Sequence, residues 1–327
     1  MVNILGINLS LLKLDYLRKF FYLVPKVPRQ VNIEATNKCN LNCKMCKRRE
    51  LKIPETGIEL DRFKQVVDKL PRRVKEISFG SYGESFIHPD IYEMIKYVKS
   101  KSFFLSITTN GFLFIKEENR KKVLESGVDV LRFSVEEIKP STSNAHPYNI
   151  NLLAALEKLA DEKKQTGSQT KLFFNTVVNQ GNYDQIIDLI KHAETIGFDA
   201  VELIHLDKKA NDVKEYLPIE KEIALYRKIN QMKDQMKFNI QVTSLYDRYI
   251  GIRKFAFRNM KYCPFTYDVC HVTIEGDVTP CCFGLPRHRI GNIFEHSLSE
   301  IWNSSQFKKF RKEQQQVCKG CTLMKLE

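Results

Sequence analysis

The stretch VNIEATNKCNLNCKMC, residues 31–46, opens as a strand and closes as a metal-binding loop. Residues 31–36 are β-branched and apolar, which predicts a strand. Cys39, Cys43 and Cys46 follow at once in a C-x3-C-x2-C spacing. Three thiolates on so short a loop can hold one face of a [4Fe–4S] cube, which normally takes four cysteines. No fourth cysteine lies nearby, so one iron would keep an open position, as catalysis needs. The same three cysteines can also hold zinc with a remote fourth ligand.

Working outward, the strand at 31–36 is the first of a series. Further strands are expected at 75–80, 103–109, 128–136, 171–178 and 199–206. Helices are expected at 60–70, 90–100, 116–126, 149–166, 182–196 and 219–236. Six βα units imply a parallel sheet with right-handed crossovers. The expected fold is α/β, a partial TIM-like (β/α)6 barrel whose loops after the strands build the site. After residue 250 the alternation stops, and six of the nine cysteines fall between Cys263 and Cys321. Residues 251–327 are therefore expected to form a small cysteine-rich domain stapled by metal, behind a barrel spanning 31–250. Residues 1–30 form an amphipathic basic segment, with Leu12, Tyr16, Phe20 and Leu23 at helical spacing and Pro25 and Pro28 at its end. It is expected to pack on its own domain, with peripheral membrane contact as the alternative.

The composition sets the outer bounds. Of 327 residues, 43% are hydrophobic and 28% charged, enough apolar material for a large core. No 18-residue apolar run is present, so no transmembrane helix is expected. Lys13, Asp15, Arg18 and Lys19 break up the N-terminal apolar stretch, which excludes a signal-peptide form and points to the cytoplasm. An odd number of cysteines in a reducing compartment argues for metal chemistry over disulfides. The net charge of +13 favours anionic partners without choosing among them. Lys47, Arg48 and Arg49 beside the cysteine loop are candidates to meet an anionic substrate, or are simply a solvated charge run.

The cysteine loop resembles that of the radical S-adenosylmethionine (SAM) enzymes. There the cysteine-free iron chelates SAM, and reductive cleavage yields a 5′-deoxyadenosyl radical that takes hydrogen from substrate. The resemblance continues along the chain. Gly80-Ser-Tyr-Gly83-Glu84 stands where the family has Gly-Gly-Glu-Pro, with Tyr82 and Ser85 departing from it. Thr109-Asn110-Gly111 matches a turn beside the SAM site. Ser134 ends the fourth strand, and Asn175 lies on the fifth. The resemblance thus implies Gly83, Glu84, Thr109, Asn110, Ser134 and Asn175 as SAM-site residues.

Cys263, Cys270, Gly276, Cys281, Cys282, Cys318 and Cys321 resemble the SPASM/Twitch type of C-terminal domain, which binds auxiliary iron–sulfur clusters. Six cysteines are too few for two fully ligated cubes, so one auxiliary [4Fe–4S] cluster is expected. The single-cluster pattern implies Cys263, Cys281, Cys318 and Cys321 as ligands, with Cys270 the alternative and Cys282 spare. A zinc ribbon is the other reading of C-x2-C.

The scaffold says little about substrate. A small molecule such as a sugar or sugar nucleotide is expected, oxidised or rearranged. A maturase acting on a peptide or protein is the alternative, and a non-catalytic metal-binding scaffold a distant third. Only about 30 residues precede the first strand, too few for a peptide-recognition domain, and this favours the small molecule. Glu136, His205 and Asp207 follow strands and are the acid–base candidates. An electron donor such as flavodoxin or ferredoxin is implied, and nucleic acid is not expected as a partner.

Overall fold

A computed structural model of the chain describes residues 24–50, 53–140, 149–206, 216–233, 236, 239–242, 263–281 and 288–318. Most of the N-terminal amphipathic segment, Asp207, Cys282, Cys321 and the expected boundary near 250 lie outside the described residues.

The six expected strands are present. β1 (Gln30–Ile33), β2 (Glu76–Phe79), β3 (Phe104–Thr109), β4 (Val130–Ser134), β5 (Lys171–Val178) and β6 (Ala200–His205) pair in chain order, all parallel. Each is followed by a helix: α1 (Leu60–Asp68), α2 (Ile91–Ser100), α3 (Glu117–Glu125), α4 (Ile150–Thr166), α5 (Ile186–Thr195) and α6 (Ile219–Lys233). A strand absent from the sequence expectation, β7 (Asn239–Val242), pairs parallel with β6. Its four residues, Asn-Ile-Gln-Val, are too few for a period-two signal to register.

The strands alternate. Val31, Ile33, Ile77, Phe79, Leu105 and Ile107 point to the helices and are fully buried. The helices meet them with matching stripes. On α1, Phe63, Val66 and Val67 recur at i, i+3 and i+4, and Phe63 packs edge-on against Phe79 with centroids 5.5 Å apart. On α4, the Asn149 side chain accepts from the backbone N–H groups of Asn151 and Leu152, and Gly167 closes the helix at φ 68°. The opposite face of the sheet carries Asn32, Ser78, Ser106, Arg132, Asn175 and Glu202, beside a small apolar cluster of Val130, Phe173 and Ala200. There Ser106 donates to Glu76 at 2.5 Å and Arg132 Nε to Glu202 at 2.9 Å.

The C-terminal segment joins this same sheet. β8 (Val269–Val272) pairs parallel with the outer edge of β1, and β9 (Asp277–Thr279) and β10 (Gly291–Asn292) continue antiparallel. The order is β10-β9-β8-β1-β2-β3-β4-β5-β6-β7, an open sheet. α7 (Leu298–Asn303) and α8 (Ser305–Val317) follow. Trp302 Nε1 donates to the Pro25 carbonyl at 2.8 Å, and Lys69 of α1 reaches the Ile293 carbonyl at 2.8 Å. One continuous apolar core runs from β1 to α8.

Candidate active site

The cysteine loop leaves β1 and is closed at its neck. Thr36 Oγ1 donates to the Thr56 carbonyl at 2.6 Å, and Asn37 Nδ2 donates to the Pro54 carbonyl at 2.9 Å. The Asn37 side-chain oxygen accepts from Thr56 N–H at 2.6 Å. Within the loop, Arg48 donates to the Leu41 carbonyl at 2.9 Å and to Glu55 at 2.6 Å. Arg48 is thereby committed to the loop itself.

The segment after β2 is pressed onto this loop. A Cβ on Gly83 would stand 1.9 Å from the Thr36 carbonyl oxygen and 2.9 Å from that of Lys38. Only glycine admits so close a backbone approach. Glu84 N–H donates to the Lys38 carbonyl at 2.8 Å. Its buried carboxylate accepts from Phe86 N–H at 3.1 Å, Thr109 Oγ1 at 2.8 Å and Asn110 N–H at 2.7 Å. Glu84 therefore braces the ends of β2 and β3 against the cysteine loop. Asn110 carries the link further. Its Nδ2 donates to Asn40 Oδ1 at 2.8 Å and lies 3.8 Å from Cys39 Sγ.

The three thiols are half-buried. Burial, the neighbouring thiols and Glu136 push Cys43 up to about 12, and burial raises Cys39 as well. Raised thiols such as Cys39 and Cys43 give up their protons most readily beside a cation, so the donor set fits a cationic iron–sulfur core. Among the described residues, no three Cys, His, Asp or Glu side chains crowd as a single metal ion requires. Ser134 and Asn175 are register partners on the inner face. The Asn175 side-chain oxygen is buried without a hydrogen-bond partner, as suits a residue facing a polar ligand.

The acid–base candidates separate. Glu136 is 3% exposed, accepts from Val177 N–H at 2.5 Å, and is held well above the usual carboxylate range by burial. His205 ends β6. Sequence reading missed Asn32, His271 and Thr279, register neighbours across β1, β8 and β9, each with a buried polar atom lacking a partner. The signal was present in part, since Asn32 is the polar residue between two apolar ones in a strand.

In the C-terminal segment, Cys263 is buried and its N–H donates to Gln314 Oε1 at 2.7 Å. Cys318 N–H donates to the Gln314 backbone carbonyl at 2.7 Å, so one residue of α8 ties both cysteines. Cys281 follows β9 and is half-buried, while Cys270 on β8 is fully buried, its thiol pushed up to about 12 by burial. The β8–β9 turn closes on Gly276 at φ 86°, where a Cβ would strike the Phe294 ring at 2.3 Å.

The chain was compared with known proteins. The Radical SAM superfamily model matches residues 33–217, and the SPASM iron–sulfur cluster-binding domain matches residues 263–322. The tungsten-containing aldehyde ferredoxin oxidoreductase cofactor-modifying protein of Pyrococcus furiosus is 27% identical over 303 residues, covering 85% of this chain and 82% of that protein. The AdoMet-dependent heme synthase of Methanosarcina barkeri is 26% identical over 324 residues, covering 90% of this chain and 91% of that one. In fold, the chain is similar to Streptococcus suis SuiB bound to S-adenosylmethionine, with TM-score 0.72 and 18% identity over 99% of this chain and 78% of that one. No helix among the described residues is long and apolar enough to cross a membrane.

Proposed function

Since the chain belongs to the radical SAM superfamily and is an enzyme of that kind, we propose that it is an oxidoreductase taking hydrogen from a compact organic molecule. Cys39, Cys43 and Cys46 would hold the SAM-binding [4Fe–4S] cluster. That cluster with SAM supplies a carbon radical strong enough to take a hydrogen atom. Gly83 and Glu84 hold the loop to the strand ends, and Asn110 orients it beside Cys39. Thr109, Ser134 and Asn175 complete the SAM side, the last with an unspent acceptor. The polar inner face of the sheet receives the substrate. Glu136, its carboxyl held well above the usual carboxylate range by burial, is the candidate proton donor.

The C-terminal cysteines Cys263, Cys281, Cys318 and Cys321 would hold an auxiliary cluster, with Cys270 the alternative ligand. A fully ligated cluster does not readily bind substrate but can accept the electron left by hydrogen abstraction. A flavodoxin or ferredoxin would supply the first electron. Two relatives matched over most of their length bear names concerned with a cofactor or heme, which supports a cofactor-type small molecule over a sugar, while a third is named a peptide cyclase, which supports the maturase alternative.

The observation that carries the reading is the docking of the thiol loop onto the ends of β2 and β3 through Gly83 and Glu84. The test is anaerobic reconstitution followed by SAM and a strong reductant. Slow release of 5′-deoxyadenosine is expected, and its abolition by Cys43→Ala. Methylthioadenosine as the product would overturn the reading. Deuterium transfer into 5′-deoxyadenosine from a labelled peptide, and not from a small-molecule pool, would favour a maturase.

A further inference from the structure

Arg311 on α8 is a buried cation without an anion among the described residues. It is 4% exposed. Its Nε donates to the Thr266 carbonyl at 3.0 Å and its Nη1 to the Trp302 carbonyl at 3.0 Å. Its Nη2 is buried with no hydrogen-bond partner among the described residues. The guanidinium carbon lies 4.2 Å from the Trp302 ring centroid and 3.9 Å from that of Phe307. Among the described residues, no Asp or Glu pairs with it. Burial pushes it down to about 10, so it remains charged at neutral pH. Ring faces offset only part of the cost of burying such a charge.

Its surroundings contain cysteines. Thr266, which it grips, bonds through its own hydroxyl to the Cys263 carbonyl at 2.9 Å. Gln314, one turn further along α8, ties Cys263 to Cys318. Cys270 is fully buried in the same core as Phe307, on whose ring the guanidinium lies. The missing anion is therefore to be sought among sulfurs.

We propose that Arg311 is the counter-charge of the auxiliary iron–sulfur cluster and holds its reduction potential up, with Nη2 as the donor kept for it. The proposal rests on the reading that the C-terminal cysteines hold a cluster. A cube with four thiolates carries two net negative charges when oxidised and three when reduced. A fixed positive charge nearby favours the more negative state, so it eases uptake of one electron. A buried donor toward the sulfurs acts in the same direction.

The experiment uses full-length protein carrying Cys39→Ala, Cys43→Ala and Cys46→Ala, so that only the auxiliary cluster is titrated. Iron content is measured first. About four irons per chain support the cluster reading, and none would remove it, whatever Arg311 does. The midpoint potential is then read by paramagnetic resonance during a redox titration. Arg311→Gln should lower the reduction equilibrium constant at least tenfold, about 59 mV for one electron. Arg311→Lys keeps the charge and should stay within about threefold of the parent, even where its thermal melt falls. A loaded Arg311→Gln variant with unchanged potential overturns the proposal. If Arg311→Gln does not load, a tenfold fall in Arg311→Lys overturns it, and a retained potential there supports it.

Discussion

Glu34 leaves β1 beside the C-terminal turn, 7% exposed, accepting from Ser81 Oγ at 3.3 Å. Burial raises its pKa from 4.5 to about 6, against the smaller lowering by a backbone N–H bond from Ile274. The folded state therefore holds the proton more tightly than the unfolded chain. The stabilising contribution is complete below pH 4.5 and is lost as pH rises through about 6, by about 2 kcal/mol. Glu34→Gln should accordingly be more stable than the parent by about 2 kcal/mol at pH 8 and equal to it near pH 4, as read by urea melts. Glu84 gives the opposite kind of test. Glu84→Ala would leave three buried donors unanswered, those of Phe86, Thr109 and Asn110. At about 1–3 kcal/mol each, a loss of at least about 3 kcal/mol is expected in the same melts. Sequence reading picked out Glu84 and Asn110 from their motifs as SAM-site residues. The bonds of the Glu84 carboxylate to Phe86, Thr109 and Asn110 add a bracing role that the motif alone does not show. Arg311 was invisible in the sequence, because its unusual feature is a partner it lacks.

At the scale of elements, the cysteine loop is positioned by contact with its neighbours. Gly83→Ala sets a methyl group against the Thr36 carbonyl, a backbone group that cannot turn aside. The expected outcome is a loop displaced from β2, with iron loading and 5′-deoxyadenosine release both sharply reduced while far-ultraviolet circular dichroism is kept. Normal iron content in this variant would refute the docking role. The Asn149 side chain bonds the first turn of α4 and no group of the cysteine loop, so Asn149→Ala should cost about 1 kcal/mol without changing iron content. Strands and helices were legible where apolar residues repeat over several turns or pleats, as in β5 and α4. β7 was too short to register. β8, in Val-Cys-His-Val, carries a cysteine that drew attention to metal binding and away from strand pairing.

For the whole molecule, the sheet makes one unit of segments that sequence reading divides. Reconstituted protein should carry about seven to eight irons, falling to about four when Cys39, Cys43 and Cys46 are all replaced by alanine. Retention of full iron by that variant would show the first site to be misassigned. Residues 263–318 also cover the edge of β1, so a chain ending at residue 250 would bare that edge and the apolar surface beside it. Such a chain is expected to aggregate on refolding, as measured by light scattering.

The pairing of β1 with β8 also sets a clock for biosynthesis. Gln30 meets Val269, about 240 residues later in the chain. At about 5–20 residues per second, the ribosome needs roughly 12–50 s to deliver the second strand after the first emerges. Throughout that interval the nascent chain shows an unpaired parallel edge next to three free thiols. A holding chaperone or an iron–sulfur carrier would therefore find its opening before translation ends, while β1 is paired on one side only.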